Sequence, residues 1–306
     1  PLFFLMLLGY LLHRAGFLED SFVASANKFV FKVSLPVQLF RDIAATDIYA
    51  SFDGKYVLFC ALTTLSSILV IWALAKLLLK DKHLVGEFVQ ACYRSSAAIL
   101  GTAFIQNIYG TSGMSGLMIL GSVPLYNIFA VLILTLESPS ADAHAAMGDK
   151  IKASIRGIFT NPILIGIALG FVYSLLRLPL PTMANKTLSS LASLTSPLAL
   201  LAIGAGFKGK AALGYLRPTA AATVIKLLVL PAVFLPIAFR MGFTNEKLVG
   251  LLVMLGSVTT PAGYVMAKQM GHEGVLTGSV CVTTTFFSAL TLTFWVLLAH
   301  SLGYIV

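Results

Sequence analysis

Long apolar runs, each close to the length of a bilayer crossing, recur along the chain with short polar links between them. A transmembrane helix needs roughly 20 mainly apolar residues. By that ruler ten segments stand out, approximately 1–13, 22–41, 56–79, 84–108, 115–137, 156–177, 186–207, 217–240, 246–268 and 275–300. The longest link, Ser138 to Ile155, is polar and rich in small residues and divides them into two sets of five. The pattern predicts an all-α polytopic membrane protein with ten transmembrane helices. Because the first run begins at Pro1, already inside apolar sequence, a few residues are expected to precede it.

Two segments carry interruptions. In the ninth, SVTTPAGYVMAKQMGHEG (Ser257 to Gly274) places consecutive threonines, a proline and a glycine in the middle of a crossing. Proline removes a backbone donor and clashes with the preceding turn, and carbonyls freed in hydrocarbon must find partners in protein, water or a ligand. A break there is a candidate binding site. The fourth segment contains RSSAAILGTAF, where Gly101 permits unwinding without a proline.

An offset of 161 relates the two sets, superposing Pro1 on Pro162, Gly9 on Gly170, Pro36 on Pro197, Gly110 on Gly271 and Gly113 on Gly274. Composition alone gives about one such coincidence, so an internal repeat is expected. Pro261 falls on Leu100, beside Gly101 and Thr102, so the two interruptions occupy equivalent places. An odd number of spans per set inverts the second copy, as in many secondary transporters. The predicted division is 1–137 for the first repeat, 138–155 for a connecting loop and 156–306 for the second.

Charge sets the orientation. One face collects Arg14, Lys76, Lys80, Lys82, Lys150, Lys152, Arg156, Lys208, Lys210, Arg217 and Lys268; the other has Arg41, Lys55, Arg177, Lys186, Arg240 and Lys247. The richer face belongs in the cytoplasm, which puts both termini outside and the central loop inside. With 58% hydrophobic and 11% charged residues, the chain cannot have an ordinary soluble surface. The net charge of +9 then reports cytoplasmic lysines and arginines, not a nucleic-acid partner. Cys60, Cys92 and Cys281 all lie in apolar runs without metal-type spacing and read as small buried hydrophobes; neither a metal nor a cofactor is expected.

The opening PLFFLMLLGYLLHRAGFL, then KVSLPVQLF, TNPILIGIALG, SPLALLAIGAG and TTPAGYVMAKQMG together resemble the auxin efflux carrier (PIN-like) family, in its short bacterial form, across essentially the whole chain. The resemblance implies crossing, unwound fourth and ninth helices and a bacterial inner-membrane location. It also implies a scaffold (about 1–41 and 156–207), a mobile transport part (about 56–137 and 217–300) and a homodimer formed through the scaffold. Substrates of similar proteins are small organic anions, among them indole acetate and dicarboxylates. The family commonly has an asparagine and a proline in the fourth helix, which this chain lacks there.

Candidate site residues follow from the two breaks. Half-helix N-termini suit an anion, and Ser95, Ser96, Thr102, Thr259 and Thr260 add hydroxyls at that depth, although each also fits a back-bond to its own helix. Pro261 and Gly263 shape the ninth-helix side; Gly101 fits either close packing or the crossover. Tyr126 and Asn127 lie in a flanking segment, as do Thr283, Thr284 and Thr285; Asn127 is either an orienting group or an interhelical bond. Arg94, placed four to eight residues before the break, either meets an anionic substrate or satisfies exposed carbonyls. Lys226 is too deep to snorkel and is expected as supporting charge, paired with carbonyls or facing the cavity. All twelve acidic residues and the five histidines fall at segment ends or in loops, so no fixed proton carrier is expected at the centre.

These features predict a secondary transporter of small organic anions, working by efflux or exchange through an elevator movement. The alternative is a sodium-coupled symporter of larger organic anions, of the bile-acid-transporter type. An enzyme would need a nucleophile with its base, or a metal set, and no histidine or acid is placed for one.

Overall fold

The structure, a computed structural model, describes residues 2–45, 52–110, 113–138, 157–177, 180–207 and 209–305. Every regular element among them is helical. The first half holds α1 (Leu2–Arg14), α2 (Asp20–Phe29), α3 (Leu35–Ala44), α4 (Gly54–Leu78), α5 (Val85–Tyr93), α6 (Thr102–Tyr109) and α7 (Gly113–Leu136). The second holds α8 (Pro162–Leu175), α9 (Thr182–Ser193), α10 (Thr195–Ala205), α11 (Gly209–Gly214), α12 (Leu216–Val224), α13 (Leu230–Arg240), α14 (Asn245–Gly256), α15 (Pro261–Gln269) and α16 (Val275–Ser301). Wider π turns join α2 to α3 at Val30–Ser34 and α12 to α13 at Ile225–Val229.

Among the described residues, five helical stretches are long and apolar enough to cross a membrane: Gly54–Leu78, Met114–Leu136, Thr182–Ala205, Leu216–Arg240 and Val275–Ser301. α14 and α15, bent by 40° at their break, make a sixth if counted as one span. α1 and α8 are apolar but shorter. Outward positions carry Phe4, Leu11, Leu62, Leu77, Phe286 and Leu297, all exposed. Exposed apolar surface of that extent marks a lipid-facing exterior, and the protein is an integral membrane protein. The connecting loop beyond Ser138, with Lys150, Lys152 and Arg156, lies outside the described residues, as does Lys208.

The 161 offset reappears in the element bounds. Shifted by 161, α4, α5, α6 and α7 fall on 215–239, 246–254, 263–270 and 274–297, within four residues at either end of the helices found over 216–240, 245–256, 261–269 and 275–301. The packing repeats as well. Gly9 sits on the Leu201 backbone, where a Cβ would meet Leu201 Cα at 2.9 Å, and Gly170 sits on Phe40, where a Cβ would meet its carbonyl oxygen at 2.8 Å. The offset converts one pair into the other. Only glycine allows helices to approach this closely, and the two contacts lock α1 along α10 and α3 along α8.

Candidate functional site: the meeting of two broken helices

α5 ends at Tyr93, Arg94–Ser96 are non-helical, and the chain re-enters a helix through a π turn at Ala97–Gly101 before α6. The break therefore precedes the expected position at Gly101 and Thr102, and Arg94 lies in it instead of one turn or more upstream. Without a proline to fix the site, the π turn absorbs the extra residue and helix resumes early. Gly101 has a packing role: a Cβ there would meet Met118 Cε at 2.7 Å. In the other helix α14 ends at Gly256, Ser257 and Thr260 are extended, and Pro261 opens α15. At a first helical position the missing N–H is no loss, so Pro261 starts the second half as much as it stops the first.

The two breaks are tied to each other. Ser96 N donates to Val258 O at 3.0 Å, and Thr259 Oγ1 donates to Ala91 O at 2.7 Å. Gln90 Nε2 donates to Gly263 O at 3.0 Å, Tyr126 Oη to Met254 O at 3.1 Å, and Ser95 Oγ also donates to Met254 O. Thr259 N donates to Thr284 Oγ1 at 3.1 Å, anchoring the break on α16. The carbonyls orphaned at the ends of α5 and α14 thus receive side-chain donors from the opposite broken helix, which is what a water-poor interior demands.

Lys226 completes that side. Fully buried on the π turn before α13, its Nζ donates to Tyr93 O at 3.2 Å, to Ser95 Oγ, and at 3.5 Å to Met254 O. Its positive charge sits where two helix C-termini, each negative by dipole, converge. The π turn frees a carbonyl in turn, and Trp295 Nε1 donates to Leu227 O at 3.0 Å.

The opposite, amide side of the crossing borders a cavity of about 50 Å³, room for one or two waters and well below the few hundred Å³ usual for a ligand site. Ser96–Ala98 and Thr260–Ala262, the starts of the two second halves, line it together with Arg94, Ser95, Tyr126 and Asn127. Its far wall comes from α3 and α10: Leu35, Gln38, Leu39, Asp42, Thr195, Ser196 and Ala199. Arg94 is 3% exposed; its Nη2 donates to Asn127 Oδ1 at 3.1 Å and its Nη1 approaches the Met266 sulfur at 2.9 Å. Nε has no hydrogen-bond partner, and among the described residues no carboxylate forms an ion pair with Arg94. Asn127 is steered by its own donation to Val123 O at 2.9 Å.

Seven expected residues are thus brought to one cavity: Arg94, Ser95, Ser96, Tyr126, Asn127, Thr260 and Pro261. Thr259, Gly263 and Lys226 lie on the carbonyl side and hold the crossing together, while Gly101, Thr102, Thr283, Thr284 and Thr285 do not line the cavity. Asp42 lies in the last turn of α3, a segment end as expected, yet it brings a carboxylate into the cavity lining. It went unnoticed with Gln38 and Thr195 because the wall they form belongs to helices far away in sequence, and nothing local marks them.

No curated protein matches the chain. A family model described as membrane transport protein matches residues 1–296, nearly its full length. With broken helices crossing inside an apolar helical bundle and that match over almost every residue, the chain belongs to the membrane transport protein family, the auxin efflux carrier or PIN-like group.

Proposed function

We propose that this membrane transporter is a secondary carrier of small organic anions such as carboxylates or auxin-like compounds, working by efflux or exchange. The observation that carries the reading is Arg94: a buried guanidinium facing a cavity between two helix starts, with Nε unpartnered and no ion pair to a described carboxylate. A buried cation left under-satisfied is costly, and an anionic ligand supplies what it lacks. Helix N-termini and the hydroxyls of Ser96 and Thr260 favour the same charge.

In this reading ten helical segments span a bacterial inner membrane as two inverted repeats, 1–137 and 156–306, with the 138–155 loop in the cytoplasm and both termini outside. The offset between element bounds and the paired Gly9 and Gly170 contacts support that layout. Helices of 1–41 and 156–207 form a dimerising scaffold, and those of 56–137 and 217–300 move against it. The cavity lies on the boundary: α3 and α10 give one wall and the crossing gives the other, which supports an elevator movement that carries the crossing past the wall. At about 50 Å³ the cavity is closed to an acid of several carbons, so loading requires the walls to part.

The test is anion uptake into proteoliposomes, screened over mono- and dicarboxylates and scored beside Arg94→Ala and Asn127→Ala. Uptake of at least one acid, lost in Arg94→Ala and weakened in Asn127→Ala, is the expected outcome. Unchanged uptake in both correctly folded variants overturns the site.

A further inference from the structure

Secondary transporters hold coupling cations with unwound carbonyls and half-helix C-termini. Here that position is occupied by a side chain. Lys226 Nζ meets only neutral oxygens, Tyr93 O, Ser95 Oγ and Met254 O, and among the described residues it forms no ion pair. Tyr93 is the last residue of α5, and Met254 lies in the last turn of α14, so the ammonium neutralises both converging helix ends at once. The counterpart of Lys226 under the 161 offset is Leu65, within the unbroken helix α4. The charge and its π turn therefore have no counterpart at the equivalent position of the first half.

We propose that the Lys226 ammonium is a tethered substitute for a monovalent metal cation: it fills an oxygen-lined site between two helix C-termini, so the fold needs no sodium or potassium there. Removing the side chain then opens a site of carbonyl and hydroxyl oxygens, with space for an ion and a water in place of the lysine stem. The oxygens are hard and neutral, the ligand class suited to sodium or potassium rather than to a transition metal. A lysine suits the role because its ammonium is a compact point charge with three donors, matching the three oxygens it meets.

The experiment is thermal unfolding of the purified protein without substrate, in sodium or potassium chloride against choline chloride at equal ionic strength. Wild type should show no difference. Lys226→Ala should unfold at lower temperature in choline and recover by about 5 °C or more, saturably, with one of the metal cations. Lys226→Met, which fills the space without charge, should be destabilised and unresponsive. If Lys226→Ala is recovered only when extracted in sodium or potassium, the proposal is supported; if it cannot be recovered in any salt, or folds without a cation response, the proposal fails. Saturable sodium stabilisation of wild type also overturns it. Because the readout omits substrate, the result is independent of the anion assignment.

Discussion

Two buried cations lie a few residues apart in space along one crossing, and they are treated differently. Lys226 faces the carbonyl ends of the broken helices and meets three oxygens; Arg94 faces the amide ends and meets one amide oxygen and a thioether, with Nε left over. The first environment supplies the negative dipole a cation needs; the second supplies only an amide oxygen and a thioether. A charge that is satisfied internally holds structure together. A charge left under-satisfied beside a cavity is available to a ligand. Under the proposed function, the crossing separates its structural and binding roles onto its two sides.

The largest effect expected from breaking this contrast is on the carbonyl side. Lys226→Met leaves the Tyr93 carbonyl and the Ser95 hydroxyl oxygen without a donor, while Met254 O keeps Tyr126 Oη and Ser95 Oγ; at about 1–3 kcal/mol for each orphaned group, the loss should be seen as a marked drop in melting temperature and in recovered protein. On the amide side Arg94→Gln removes a charged hydrogen bond of about 1.5–3 kcal/mol from the bound anion, so affinity should fall about 10- to 100-fold while the melting temperature without substrate changes little. Asp42→Asn sharpens the same side: with a like charge removed from the cavity wall, anion affinity should rise several-fold in the same binding assay.

A matched pair of threonines tests the division at finer scale. Thr259→Val loses the bond to Ala91 O, about 1 kcal/mol of stability, with binding preserved; Thr260→Val should weaken binding and leave stability alone. The smallest effect is expected outside the bundle, where Lys247 Nζ and Asp53 Oδ2 pair at 2.6 Å. The Lys247 hydrogen bond, with help from the Tyr56 amide, lowers the Asp53 pKa from 3.8. A lowered acid stabilises above its unfolded value, and the contribution fades as pH falls through the folded one. Asp53→Asn should therefore cost under about 1 kcal/mol at neutral pH and nothing in acid, as followed by unfolding temperature against pH.

Much of the scaffold of this account was legible in the order of residues. Apolar runs located the helices, and Pro261 together with the threonines before it and Gly263 after it located one break; proline alone does not compel one, since Pro124 and Pro236 lie inside continuous helices. The other break falls earlier than the sequence predicts: RSSAAILGTAF offers several permissive residues and no compulsory one, and the outcome depends on a π turn that packs against α7 and α14. Arg94, Tyr126 and Asn127 stood out because polar groups are rare in apolar runs. Asp42, Gln38 and Thr195 did not, since their role arises only when α3 and α10 pack across the crossing. The two candidate roles of Lys226, carbonyl partner or cavity charge, were separable only once the C-termini of α5 and α14 were seen to converge on it.

The central claim, that the amide side of the crossing with Arg94 is an anion site, is tested most directly by equilibrium binding of a carboxylate panel to the purified protein and to Arg94→Gln, beside the uncharged amides of the same acids. At least one acid should bind wild type saturably, weaken at least about 10-fold in Arg94→Gln, and outcompete its amide. Equal affinity in the two proteins, or amides binding as tightly as acids, would contradict the account.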